Sequence, residues 1–252
     1  MGVNEAGFQP NAPLQSGGGS LEYVPMSEHL VIAVDGPVGS GKSTVARTLA
    51  ARLGFRYLDT GAMYRAVTLK ALRLGVDLDD PEALTEVACS CEVELSGAGD
   101  ASKVFLDGED VGDAIRSRDV TKNVYRPSQT AGVRSRMVEL QRAMADSGPL
   151  VAEGRDMGTV VFADSPAKFY LDASVDVRAG RRHRELAAKG EDIPIEELKQ
   201  QVVARDERDS NREVSPLCRA EDAVVIETSE MGIDDVVDAI AAVLKSRGLV
   251  SG

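Results

Sequence analysis

Residues Leu30 to Leu53 read LVIAVDGPVGSGKSTVARTLAARL. Leu30 to Val34 is an unbroken apolar run of the kind shown by a strand buried on both faces, and Lys42 to Leu53 carries helical periodicity. Between them Gly36, Pro37, Val38, Gly39, Ser40, Gly41, Lys42 and Ser43 fit the phosphate-binding pattern G-x-x-x-x-G-K-[ST], with Thr44 directly after. Glycine is required there because the backbone must curl until successive N–H groups converge on phosphate oxygens. Lys42 adds a positive charge for the β- and γ-phosphates. Ser43 offers a hydroxyl to Mg²⁺ at a helix N-terminus that already favours anions. Strand, loop and helix in that order predict a nucleoside-triphosphate site rather than a chance glycine turn.

Working outward, Phe55 to Leu58 predicts a second strand ending at Asp59-Thr60-Gly61, and Ala62 to Leu74 a helix closed by Gly75. Asp80-Pro81 opens a further helix, since Asp caps and Pro suits the first turn. Between Cys91 and Val111 the pattern switches to alternation with a hairpin signal at Asp107-Gly108, predicting a small antiparallel insertion. Helices are expected over Arg118 to Val124 and Ala131 to Asp146. Strand signals resume at Leu150 to Ala152, Phe169 to Leu171 and Ala223 to Ile226. Charged helices are expected over Val175 to Lys189 and Pro194 to Arg212, and a final amphipathic helix over Ile233 to Arg247. Five short strands alternating with helices imply an α/β fold, a parallel sheet flanked by helices with ligands at the C-terminal strand ends. Met1 to Ser27, rich in Gly, Pro, Asn and Ser, reads as a disordered tail, with Met26 a candidate start just ahead of the first strand. The domain expectation is a tail over 1–28 and one phosphate-loop α/β domain over 29–252.

The 252 residues suffice for one such domain. A net charge of −12 provides no global field for nucleic acid or an anionic membrane, so positive charge for a phosphorylated substrate must be local. Cys89, Cys91 and Cys218 are too few for a disulfide framework and lack zinc spacing, no apolar stretch reaches membrane-spanning length, and no secretory pattern precedes Lys42. A cytoplasmic protein, monomeric, without nucleic-acid or membrane partners, is expected.

Polar clusters follow two more strand ends: DTGAMYR at Asp59 to Arg65, and EGRDMGT at Glu153 to Thr159. Alone, each is ordinary turn chemistry. Beside a triphosphate loop they read as walls of one crevice. Arg205, Asp209 and Arg212 fall at i, i+4 and i+7, one face of a helix. That face is either a solvated one laced with weak ion pairs or a guanidinium clamp on phosphate. GPVGSGKST at Gly36 to Thr44, DTGAMYR, GRDMGTVVFADSPAKFYLDAS at Gly154 to Ser174 and RDERDSNR at Arg205 to Arg212 together resemble the bacterial-type cytidylate kinases, P-loop nucleoside monophosphate kinases. The likeness runs from about Leu30 to the last helix.

The resemblance implies that Gly36 to Thr44 hold ATP, the phosphoryl donor, and that Ser43 contacts Mg²⁺. It implies that Thr60, Arg65, Arg134, Arg155, Asp156, Arg205, Asp209 and Arg212 surround CMP or dCMP. Lys42, Arg155, Arg178 and Arg182 are then the expected catalytic cations, with Arg178, Arg181 and Arg182 in or beside a lid over about 175–192. The insertion, about 76–127, is implied to be acceptor-side. Tyr125 departs from the small hydroxyl residue that family members often carry in this stretch, and it is assigned no role. The implied reaction moves the γ-phosphoryl of ATP to the monophosphate, giving ADP and CDP or dCDP in pyrimidine nucleotide metabolism. An acceptor phosphate with a second pKa near 6 is mostly dianionic at neutral pH and needs no general base, so neither His29 nor His183 is assigned to catalysis. An acceptor-only Asp156 carboxylate would pair with the amino group of cytosine and repel the carbonyl of uracil, with help from the Thr60 hydroxyl. The alternatives are a kinase for UMP or shikimate, and a nucleotide-binding switch that transfers nothing. The absence of N-K-x-D and D-x-x-G motifs and the density of arginines argue against the switch.

Overall fold

The computed structural model describes residues 24, 25, 27, 29–96, 103–188 and 190–251. In chain order the strands are β1 (Val24–Pro25), β2 (Val31–Asp35), β3 (Arg56–Asp59), β4 (Val93–Ser96), β5 (Lys103–Leu106), β6 (Glu109–Asp110), β7 (Leu150–Gly154), β8 (Ala167–Asp172), β9 (Val224–Glu227) and β10 (Val250–Ser251). The helices are α1 (Lys42–Leu53), α2 (Thr60–Leu74), α3 (Pro81–Ser90), α4 (Arg118–Asn123), α5 (Tyr125–Gln129), α6 (Ala131–Ala145), α7 (Val175–Ala187), α8 (Ile195–Ser210) and α9 (Ile233–Ser246). A 3₁₀ turn covers Ala114–Arg116, and a π turn covers Met157–Val161.

Five strands form one parallel sheet in the order β3-β7-β2-β8-β9, as the alternation of strand and helix predicts. β2 sits at its centre, buried at every position, because a strand flanked on both sides and covered on both faces has no polar side to show. Its side chains alternate between two cores. Val31 and Ala33 pack with Met63, Val67, Val133 and Met137 on one face, and Ile32 and Val34 with Leu49, Val237 and Ile240 on the other. β2 and β7 run in register, Asp35 opposite Gly154, so the loops leaving both strands emerge side by side.

The insertion is an antiparallel sheet of β4, β5 and β6. Its tight turn places Asp107 at φ +51° and Gly108 at φ +83°, the left-handed pair that a two-residue hairpin requires. α3 starts as expected, with the Asp80 carboxylate accepting from Glu82 N–H and Ala83 N–H and Pro81 in its first turn. No helix among the described residues is long and apolar enough to cross a membrane.

Several boundaries differ from the sequence reading. Val24–Pro25 belong to the stretch expected to be disordered, yet they pair antiparallel with Val250–Ser251. The rest of that tail, Met26 included, lies almost wholly outside the described residues, as does Lys189 at the expected end of α7. α2 begins two residues early at Thr60, because the Asp59 carboxylate caps it by accepting from Ala62 N–H. α8 ends at Ser210, so Arg212 lies in the turn beyond it and does not share the helical face of Arg205 and Asp209. The chain reverses there, with Leu217 N–H donating to the Asp209 carbonyl at 2.8 Å.

Candidate active site

At the C-terminal edge of the sheet lies a cleft of about 1900 Å³. Its floor is the loop between β2 and α1. Gly36, Gly39 and Gly41 all have positive φ, and a Cβ at Gly36 would run into the Leu171 carbonyl oxygen, so this curl is closed to other residues. Gly41 caps α1 without any side-chain bond, which leaves the first-turn amides to an anion. Lys42 Nζ donates to the Pro37 carbonyl at 2.8 Å across the loop. Ser43 Oγ donates to Glu153 Oε1 at 2.7 Å.

The remaining walls come from three strand ends and the α7–α8 hairpin. Thr60 Oγ1 donates to the Glu153 carbonyl at 2.7 Å. Arg65, on α2, donates to the Ile115 carbonyl at 3.1 Å and to Thr121 Oγ1 at 2.8 Å, tying itself to the segment around α4. Arg134, from α6, is buried; it donates to the Ser128 carbonyl and to Asp156 Oδ2, and stacks over Tyr64. Arg212 Nη2 stands 3.6 Å from Asp156 Oδ1. Arg155 donates through Nε to Asp209 Oδ2 at 2.8 Å. Arg134 Nε and Arg212 Nη2, both buried beside Asp156, have no hydrogen-bond partner among the described residues, and Arg212 Nη2 meets Asp156 only as an ion pair.

Burying this many cations perturbs their proton affinities. Arg205 is lowered to about 10, first by burial and then by neighbouring Arg155. Arg65 and Arg212 are also lowered, chiefly by burial. Arg155 goes the other way: burial opposes its charge, but the Asp209 carboxylate wins and holds the proton. Asp209 is lowered in turn, the arginines outweighing its burial. On the loop side burial lowers Lys42, helped by Arg155, and raises Glu153, helped by Asp59. A polyanion entering the cleft would relieve the repulsion among these cations.

Of the residues singled out from sequence, Val38 to Thr44, Thr60, Arg65, Arg134, Arg155, Asp156, Arg182, Arg205, Asp209 and Arg212 all line this one cleft. Gly36 and Pro37 form the loop's ascending limb. Arg178 is the exception in kind: it is buried beneath the loop, donating to the Ala173 carbonyl, the Val38 carbonyl and Asp206 Oδ2. Asp206 Oδ1 also accepts from Val38 N–H at 3.2 Å, so Arg178 and Asp206 together join the hairpin to the phosphate loop. Arg182 pairs with Glu185 one turn along α7. His29 is exposed in the turn before β2, and His183, on α7, lies 3.9 Å from Asp192.

Sequence reasoning missed Asp35, Asp206 and the role of Glu153. Glu153 stood in a strand-end cluster and could have been picked from that place. Arg181, which the resemblance placed in or beside the lid, donates to the Thr228 hydroxyl and carbonyl and lines the cleft. Tyr125 also lines the cleft, its ring 4.8 Å from the Arg126 guanidinium and 5.2 Å from that of Arg208 on α8.

Comparison with known proteins agrees with this geometry. Residues 32–246 match the family described as cytidylate kinase. The chain is 51% identical over 215 residues to the cytidylate kinase of Desulforamulus reducens, covering 85% of this chain and 96% of that one. It is 45% identical over 222 residues to that of Ligilactobacillus salivarius, covering 88% and 99%. It is 47% identical over 219 residues to that of Rhodococcus opacus, covering 86% and 96%.

Proposed function

The chain belongs to the cytidylate kinase family, and from the cleft we propose that it transfers the γ-phosphoryl of ATP to CMP or dCMP, giving ADP and the diphosphate. The observation that carries this is the convergence of a phosphate loop and an independent cluster of arginines on one cavity, enough cation for two phosphorylated ligands. ATP lies with its phosphates on the amides of Gly36 to Thr44 and on Lys42, whose link to the Pro37 carbonyl is exchanged for phosphate oxygens. Exchange restores the charge that burial suppresses in Lys42. Ser43 Oγ and the Glu153 carboxylate, 2.7 Å apart, are hard oxygen donors of the kind that suits Mg²⁺ arriving on a triphosphate. When bound, that ion neutralises charge on the donor phosphates.

The acceptor monophosphate is the nucleophile in its dianionic form, so the protein supplies position and charge rather than a base. Arg65, Arg155 and Arg205 hold the acceptor phosphate, and Arg182, on α7, adds charge to the group in transit. Asp209, locked to Arg155, sets that guanidinium's orientation and can accept from the sugar. Asp156 accepts from the cytosine amino group, while the guanidinium groups of Arg134 and Arg212, which line the same wall, favour its carbonyl edge. Uracil would put a carbonyl against a buried carboxylate. Leaving that pair unmade costs on the order of 1–3 kcal/mol, a tenfold to hundredfold preference.

The test is a coupled ADP-release assay across nucleoside monophosphates with ATP and Mg²⁺. CMP and dCMP should turn over fastest, with UMP lower in kcat/KM by about tenfold or more. Equal use of UMP would reject the role of Asp156. ATP binding without acceptor-dependent turnover would favour a binding protein.

A further inference from the structure

Asp35 is the last residue of β2 and is 4% exposed. It has no place in the phosphate loop itself, which begins one residue later. Its carboxylate faces the neighbouring strand instead: Oδ1 accepts from Met157 N–H at 2.9 Å and Oδ2 from Gly158 N–H at 2.7 Å. These are the first two amides of the π turn, and the first amides of any helical turn lack partners within it. The residue in position to cap that turn is Asp156, and aspartate is among the best capping residues. Yet Asp156 makes no capping bond, and its two oxygens face Arg134 and Arg212.

We infer that Asp35 is a positioning residue that caps the π turn in place of Asp156, so that the Asp156 carboxylate stays with Arg134 and Arg212 at the cleft wall, facing the acceptor base. The register makes this possible, since Asp35 stands opposite Gly154, and the capped amides follow shortly after it in the chain. Gly158 lies against the same carboxylate: a Cβ there would stand 3.4 Å from Asp35 Oδ2, in ordinary contact, and 3.3 Å from Lys168 Cδ. Without Asp35 the two amides are left to the capping residue, Asp156, whose carboxylate then turns away from the cleft. Asp35 thereby links the strand that carries the donor loop to the turn that reads the acceptor. This inference rests on the reading of Asp156 as the base-recognising group.

The test compares Asp35→Asn, Asp156→Asn and the double variant in steady-state assays with CMP, UMP and ATP. Asp35→Asn should raise KM for CMP and lower the CMP-over-UMP ratio of kcat/KM by about tenfold, while KM for ATP stays within about twofold. In the double variant the ratio should be that of Asp156→Asn alone, because the two changes act through one group. Additive losses, or a rise in the ATP KM matching that for CMP, would overturn the inference. If Asp156→Asn itself leaves the ratio unchanged, the base assignment fails and this inference with it. If Asp156→Asn collapses the ratio and Asp35→Asn does not, this inference alone fails. Should Asp35→Asn not fold, Asp35→Glu, which keeps the charge but displaces its oxygens from the two amides, must lower the ratio with the ATP KM unchanged, and an unaltered ratio overturns the inference.

Discussion

Asp35 shows how one buried charge couples site architecture to stability. Burial raises its carboxyl from 3.8 to about 6, against the opposing pull of the Met157 and Gly158 amides. An acid whose folded-state pKa exceeds its unfolded value adds stability that is fully present below the unfolded pKa and is lost as pH rises through the folded one. Stability attributable to Asp35 should therefore fall between pH 3.8 and about 6. Denaturant unfolding of wild type and Asp35→Asn across that interval measures it: the difference between them should change with pH in that sense, and a pH-independent difference would contradict the assignment. Among single residues, Lys42, Ser43, Arg65, Arg155 and Asp156 were legible because a motif or a strand end marked them, and Arg134 only through the family resemblance. Asp35 was not, since its partners are backbone amides of the π turn beyond β7 and no spacing announces them.

At the scale of elements, the hairpin of α7 and α8 is fastened to the phosphate loop at its base. Ala179, Leu186 and Leu198 form its own small core, and Arg178 with Asp206 ties it to Val38. Farther out Glu191 Oε2 meets Arg118 Nη2 at 3.3 Å, an exposed ion pair that spans the cleft and is worth little by itself. A hairpin rigid at its root and weakly held at its tip can open and close over bound nucleotides. Arg178→Ala leaves Asp206 without its counter-charge and should cost about 1–3 kcal/mol of stability while increasing proteolysis near residue 190 in the absence of nucleotide. Thermal unfolding and limited proteolysis check this, and an unchanged cleavage rate would show that the strut does not govern the hairpin. The central strands and α1 were legible because apolar runs and periodicity are local signals. The π turn was not, because Met157 to Val161 has no helical period and is stabilised from outside by Asp35. The end of α8 was missed because charged periodicity continues to Arg212 after the backbone has turned.

Across the whole molecule, a chain of net charge −12 concentrates its arginines at one edge of a parallel sheet. The acidic exterior discourages non-specific polyanions, while the cleft offers fixed cations to small ones. β1 and β10 pair residues near opposite ends of the chain away from that edge, so the cleft does not depend on them for any wall. The central claim is that one cavity holds two nucleotides head to head, donor on the loop and acceptor on the arginines. Calorimetric titration with an adenosine–cytidine dinucleotide joined by a polyphosphate bridge tests it most directly. One molecule should bind per chain and be displaced by both ATP and CMP, with binding weakened by Arg155→Ala as well as by Lys42→Met. Displacement by only one of the two nucleotides would contradict the account.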